Sequence, residues 1–68
     1  MEKIEISIII PVYNEEESVK ELFFKIEDVF QRINKTCEII FIDDGSTDKT
    51  FDILKELPLT SGSLRVIR

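Results

Sequence analysis

Residues 39–48 read Ile39-Ile40-Phe41-Ile42-Asp43-Asp44-Gly45-Ser46-Thr47-Asp48, four apolar residues running straight into two carboxylates, a glycine and a hydroxyl. A short apolar run closed by a turn signal is a buried strand, and Ile and Phe favour that conformation. Two acidic side chains cannot continue into a core uncompensated. They are therefore expected at the strand's carboxyl end, where the chain surfaces. Gly45 permits a sharp turn, and Ser46 is expected to cap the helix that follows. In open parallel sheets ligands bind just outside the carboxyl ends of the strands, so chemistry or recognition is expected here.

The rest of the chain supplies the partners for this strand. Residues 6–12, Ile-Ser-Ile-Ile-Ile-Pro-Val, form a β-branched run that is apolar on both alternating faces, the pattern of a parallel strand covered from both sides. Pro11 has no N–H to give, so pairing is expected to fail near it. A long helix is expected within residues 15–34, because Val19, Leu22, Phe23, Ile26, Val29, Phe30 and Ile33 recur at three- and four-residue steps while Phe24 falls off that stripe. Asn14 with Glu17, and Ser18 with Glu21, both have capping-box spacing, which leaves the helix start open by one turn. Asn34-Lys35-Thr36 reads as the exit turn. The second strand is expected from Cys37 or Glu38 to Ile42. A second helix is expected over 47–57, with Phe51, Leu54 and Leu57 on one face, Ser46 and Asp48 capping it and Pro58 ending it. Residues 60–63 are expected to form a loop, and Leu64-Arg65-Val66-Ile67 a third strand.

The order β-α-β-α-β with right-handed crossovers predicts a parallel α/β sheet. With the strand order 3-2-1 of Rossmann-like folds, both helices fall on one face and the other lacks cover. The 68 residues make at most one domain, expected to be a partial one. A chain this short buries only about 60% of its unfolded surface. Either a larger domain or self-association into a homo-oligomer would hide the bare face. A net charge of −5 argues against nucleic acid as a partner. No apolar run approaches the roughly 20 residues of a membrane span, so no membrane contact is expected from this segment. The single Cys37 forms no internal disulfide and fits a reducing, cytoplasmic location. With no histidine, the commonest metal ligand and general base is missing.

Tyr13 and the Asp43/Asp44 pair are expected at the same end of neighbouring strands, about 4.8 Å apart. A planar heterocycle could stack on the ring while a carboxylate accepts an N–H from its edge. Uracil and guanine present such a ring N–H, and adenine does not on its pairing edge.

The stretch from Ser7 through Pro11-Val12-Tyr13-Asn14-Glu15, a helix of this length, and then Ile42-Asp43-Asp44-Gly45-Ser46-Thr47-Asp48-Lys49-Thr50 resembles the opening of the family-two inverting glycosyltransferases. The likeness covers residues 6–68 and lies towards the branch of dolichol-phosphate mannose synthase and bacterial polyprenyl-phosphate sugar transferases. It implies the Rossmann-like, nucleotide-binding half of a GT-A fold and a UDP- or GDP-sugar donor. By position, Pro11 and Tyr13 would border the base, Glu15 would hold the nucleoside side, and Ile42 and Asp44 would line the base pocket, with Asp44 taking the ring N–H. Asp43 would support the loop. In that family a later Asp-x-Asp motif holds Mg²⁺ or Mn²⁺ on the diphosphate and a later acid serves as general base. Neither is in this sequence, so no catalytic or metal-binding residue is expected here, and the segment is expected to catalyse nothing alone. The likeness also suggests a parent protein associated with the cytoplasmic side of a membrane.

Other readings fit less well. The haloacid-dehalogenase loop Asp-x-Asp needs an acid where Ile42 stands, a Walker-B strand needs an upstream phosphate loop that is missing, and a receiver domain would carry acids where Pro11-Val12-Tyr13-Asn14 stands. The alternative outside enzymology is a small non-catalytic nucleotide-binding or self-associating α/β module.

Overall fold

The computed structural model describes residues 3–60 and 62–68; Met1, Glu2 and Ser61, the last within the expected 60–63 loop, lie outside the described residues. The elements are β1 (Ile6–Val12), α1 (Val19–Arg32), β2 (Cys37–Asp43), α2 (Thr50–Lys55) and β3 (Ser63–Ile67). The sheet order is β1-β2-β3, and both pairs are parallel. This is the α/β, Rossmann-like architecture that the alternation of elements requires.

Register divides the sheet into two unlike faces, because successive strand residues point to opposite sides. Ile6, Ile8, Ile10 and Val12 stand beside Cys37, Ile39, Phe41 and Asp43, and Leu64 and Val66 beside Ile39 and Phe41. This face meets the helices. Ile39 and Phe41 are fully buried with Val19, Phe23 and Leu54, each contributing about 1.5–3 kcal/mol relative to exposure. The other face carries Ile9, Ile40, Ile42 and Ile67 and is bare; Ile9 is 60% exposed. Both helices therefore lie on one side, as the 3-2-1 order implies.

Several local expectations need correction. Pairing does not fail at Pro11: Pro11 stands beside Ile42 and Val12 beside Asp43. β1 is an edge strand with one neighbour, where proline's missing donor is tolerated. β2 runs one residue further than expected, and Asp43 is buried rather than surfacing. On α1, Leu22 and Val29 belong to the apolar stripe yet are 38% and 52% exposed. Leu22 borders a small cleft with Ile10, Pro11 and Val12 at the edge of β1, where no further strand among the described residues covers the helix flank.

Both helices are shorter than their patterns. Glu15 O accepts from Ser18 N–H (3.0 Å) and Val19 N–H (2.8 Å), so residues 15–18 wind a turn before α1 begins. Neither capping box forms, because Ser18 Oγ bonds Glu15 Oε2 at 2.8 Å and the Asn14 side chain is engaged on another loop. α2 begins at Thr50, since the backbone of residues 47 and 48 is used outside the helix. It ends three residues before Pro58, where the Glu56 and Leu57 N–H groups turn back to Ile53 and Leu54. Proline also steers the residue before it away from helical dihedrals. β3 starts at Ser63, immediately after Gly62, where a Cβ would stand 2.6 Å from Cys37 O. Only glycine allows β3 to enter that close to β2.

Candidate functional site at the strand ends

The carboxyl ends of β1 and β2 are tied by one more bond than the strand pairing supplies: Asp44 N–H donates to Val12 O at 3.0 Å. Val12 and Asp43 are register partners, so Tyr13 and Asp44 leave adjacent strands side by side. Both are exposed, Tyr13 by 53%. One residue earlier, Pro11 and Ile42 stand as partners on the open face of the sheet. Four of the five residues singled out from sequence thus share one rim. The fifth, Glu15, sits two residues along the β1–α1 loop; its N–H donates to Thr50 Oγ1 at 2.8 Å and its carboxylate accepts from Ser18 Oγ. Glu15 and Glu16 border a cleft of about 310 Å³ with Asn14, Glu17, Ser18 and Asp48. A concavity of about 810 Å³ lies at the opposite ends of the strands, near Ile4, Phe30, Lys35 and Gly62.

The two loops are joined by a polar network that sequence reasoning missed. Asn14 adopts φ +50°, a left-handed conformation that asparagine tolerates better than most residues. Its N–H donates to Ser46 Oγ at 2.9 Å, and its Oδ1 accepts from Thr47 N–H at 2.8 Å and Asp48 N–H at 3.3 Å. Glu16 N–H donates to Asp48 Oδ2 at 3.3 Å. Ser46 is therefore a bridge between loops and not the helix cap it was expected to be. Asp48 does act at the helix start, accepting Thr50 N–H at 2.9 Å and the Thr50 hydroxyl. Desolvation raises the Asp48 pKa, but bonds from the Thr50 hydroxyl and from the N–H groups of Thr50, Glu16 and its own residue outweigh it and hold the carboxyl below its ordinary value. The available signal for Asn14 was its residue type directly after a strand, where a short amide can bend the chain and cap a neighbour.

Asp43 is 2% exposed, and its Oδ1 accepts Ser46 N–H at 2.9 Å, which shapes the turn through Gly45 at φ +78°. Its Oδ2 has no hydrogen-bond partner among the described residues; Arg68 Nε stands 3.8 Å away. Arg68 also donates to Ser46 O at 2.7 Å and lies 4.5 Å over the Phe51 ring. This compensation is what lets an acid enter the covered face. Asp43 thus supports the loop, while Asp44 beside it is exposed.

A ring and a carboxylate side by side can receive a flat base, one by stacking and the other by accepting an N–H. Asp43 is buried with Oδ1 engaged, and among the described residues no three potential metal ligands converge. No helix among them is long and apolar enough to cross a membrane.

Residues 7–68 match the family described as Glycosyl transferase family 2. The chain is 34% identical over 64 residues to the uncharacterized glycosyltransferase YkcC of Bacillus subtilis, covering 94% of this chain and 20% of that protein. It is 38% identical over 64 residues to the uncharacterized glycosyltransferase sll0501 of Synechocystis, again covering 94% and 20%. It is 40% identical over 58 residues to an undecaprenyl-phosphate 4-deoxy-4-formamido-L-arabinose transferase of Edwardsiella ictaluri, covering 85% and 18%. The chain spans about one fifth of the length of these curated relatives. No solved structure matches it significantly.

Proposed function

The chain belongs to glycosyl transferase family 2, and on that premise we propose that its strand-end rim holds the nucleotide of a UDP- or GDP-sugar whose sugar is passed, with inversion, to an acceptor. Tyr13 and Pro11 border the base, Asp44 accepts its ring N–H, Ile42 closes the pocket from the sheet side, and Glu15 holds the nucleoside. The observation that carries this reading is the Asp44 N–H to Val12 O bond, which keeps the ring and the acid on adjacent strand ends. A polyprenyl phosphate is the acceptor class we favour. One relative is named for an undecaprenyl-phosphate substrate, and an ionised phosphate needs less help from a base than a hydroxyl does.

The donor's diphosphate leaves with concentrated charge, which Mg²⁺ or Mn²⁺ neutralises in such chemistry. We assign that ion and the general base to residues outside this segment. The segment's own part is to select and orient the nucleotide, and it is inactive by itself.

Titration of the chain with UDP, GDP and ADP, read by amide NMR shifts, tests this. Shifts centred on Tyr13 and Asp44 with UDP or GDP, and weaker ones with ADP, are expected. Silence at both residues, or shifts centred on the opposite strand ends, would overturn it. The bare face of Ile9, Ile40, Ile42 and Ile67 favours a second reading, a self-associating module without catalysis. Silence combined with concentration-dependent sedimentation would select that reading.

A further inference from the structure

We infer that Asn14 is a positioning residue for the nucleotide site: it touches no ligand and instead locks the loops that carry Tyr13 and Asp44 into one body. The inference rests on the donor-site reading above and adds the device that holds the site in shape before ligand arrives.

The bonds are directional. Thr47 N–H and Asp48 N–H both donate to Asn14 Oδ1, while Asn14 N–H donates to Ser46 Oγ. Ser46 N–H in turn donates to Asp43 Oδ1, and Asp44 N–H to Val12 O. A closed circuit therefore runs from β1 through Asn14 to Ser46, Asp43 and Asp44 and back to β1. Tyr13 precedes Asn14 and Asp44 follows Asp43, so each recognition residue is flanked by bonded members of the circuit. Beside it, Glu15 N–H reaches Thr50 Oγ1 and Glu16 N–H reaches Asp48 Oδ2, which extends the lock along both loops.

Only the acceptor oxygen of the Asn14 side chain is used; Nδ2 has no hydrogen-bond partner among the described residues. The position also needs a residue at ease with φ +50°. Aspartate meets both demands, glycine meets only the second. The two substitutions therefore separate the acceptor from the backbone conformation. Pre-ordered loops lose little freedom on binding, so losing the lock weakens affinity.

The experiment compares the wild-type chain with Asn14→Gly and Asn14→Asp, measuring UDP and GDP affinity by amide NMR and hydrogen exchange at Thr47, Asp48 and the core residues Phe23 and Phe41. Expected are protected Thr47 and Asp48 amides in the free wild type. Asn14→Gly should bind about tenfold more weakly, the worth of one net hydrogen bond, with Phe23 and Phe41 still protected. Asn14→Asp should restore affinity to within about threefold, less than one such bond. Undiminished binding by Asn14→Gly, or equal weakness in both variants, overturns the inference and leaves the donor site standing. A silent wild type overturns the donor site and the inference together. Should Asn14→Gly unfold, freely exchanging Thr47 and Asp48 amides in the wild type overturn the lock, and protected ones with an intact Asn14→Asp site support it.

Discussion

The two faces of the sheet are built from the same strands and both carry isoleucines, yet one is a core and the other, where Ser7, Glu38 and Arg65 also stand, is surface. Ile8 and Ile10 pack against the buried core, while Ile9 between them is mostly exposed. Isoleucine content cannot separate the two faces; the helices do. The lesson is that an apolar strand reports its tolerance for burial on both sides, and the side actually covered depends on where the crossovers run.

The comparison makes quantitative demands. On the covered face, Phe41→Ala empties a fully buried site and should cost about 3–5 kcal/mol. That is the whole stability a chain this small commands, roughly 3–5 kcal/mol. Circular dichroism should show an unfolded chain at 25 °C, and a cooperative melt would mean that the covered face is not the core. At the edge of that face, Gly62→Ala drives a Cβ against the Cys37 carbonyl and should cost about 1–3 kcal/mol, read from urea midpoints at constant slope.

At the rim the effect is smaller and depends on pH. The Asp48 carboxyl is depressed in the folded chain, so its contribution is complete above the ordinary aspartate value near 3.8 and is lost as pH falls through the folded value. Stability should therefore decline below about pH 4, and Asp48→Asn should flatten that part of the acid limb. An unchanged limb would remove Asp48 from the network. Smallest of all, Ile9→Ser on the bare face should shift stability by no more than about 0.5 kcal/mol while reducing hydrophobic dye binding. A large loss would mean that something covers that face.

Much of this could be read from residue order. The strand spans to within a residue, the parallel order and the uncovered side of the sheet follow from periodicity and crossover rules, whereas the expected Phe51-Leu54-Leu57 face holds only in part: Leu54 is buried on α2, Leu57 is buried beyond the helix end, and Phe51 is half-buried beneath Lys55 and Arg68. The pairing of Tyr13 with Asp44 at one rim also followed, because adjacent parallel strands end together. What escaped were the bonds between loops more than thirty residues apart. Residue order offers Asn14 as one of two candidate caps for its own helix, Ser18 being the other, and Ser46 as a cap for the next. Both readings were locally reasonable, since short polar side chains bond nearby amides, and both yielded to partners across the rim. Asp43 was expected to surface because an isolated acid is costly to bury. Its compensation comes from Ser46 N–H and from Arg68 at the far end of the chain.

Local pattern thus determined which segments became strands and helices, and their order determined a parallel sheet with both helices on one side. Both follow from short-range sterics and the handedness of the crossover. Assembly in three dimensions decided which isoleucines were covered, which acid was buried, and that Asn14 would join the loops. Those outcomes hang on hydrogen-bond geometry between strand ends, and that geometry exists only once the strands lie side by side.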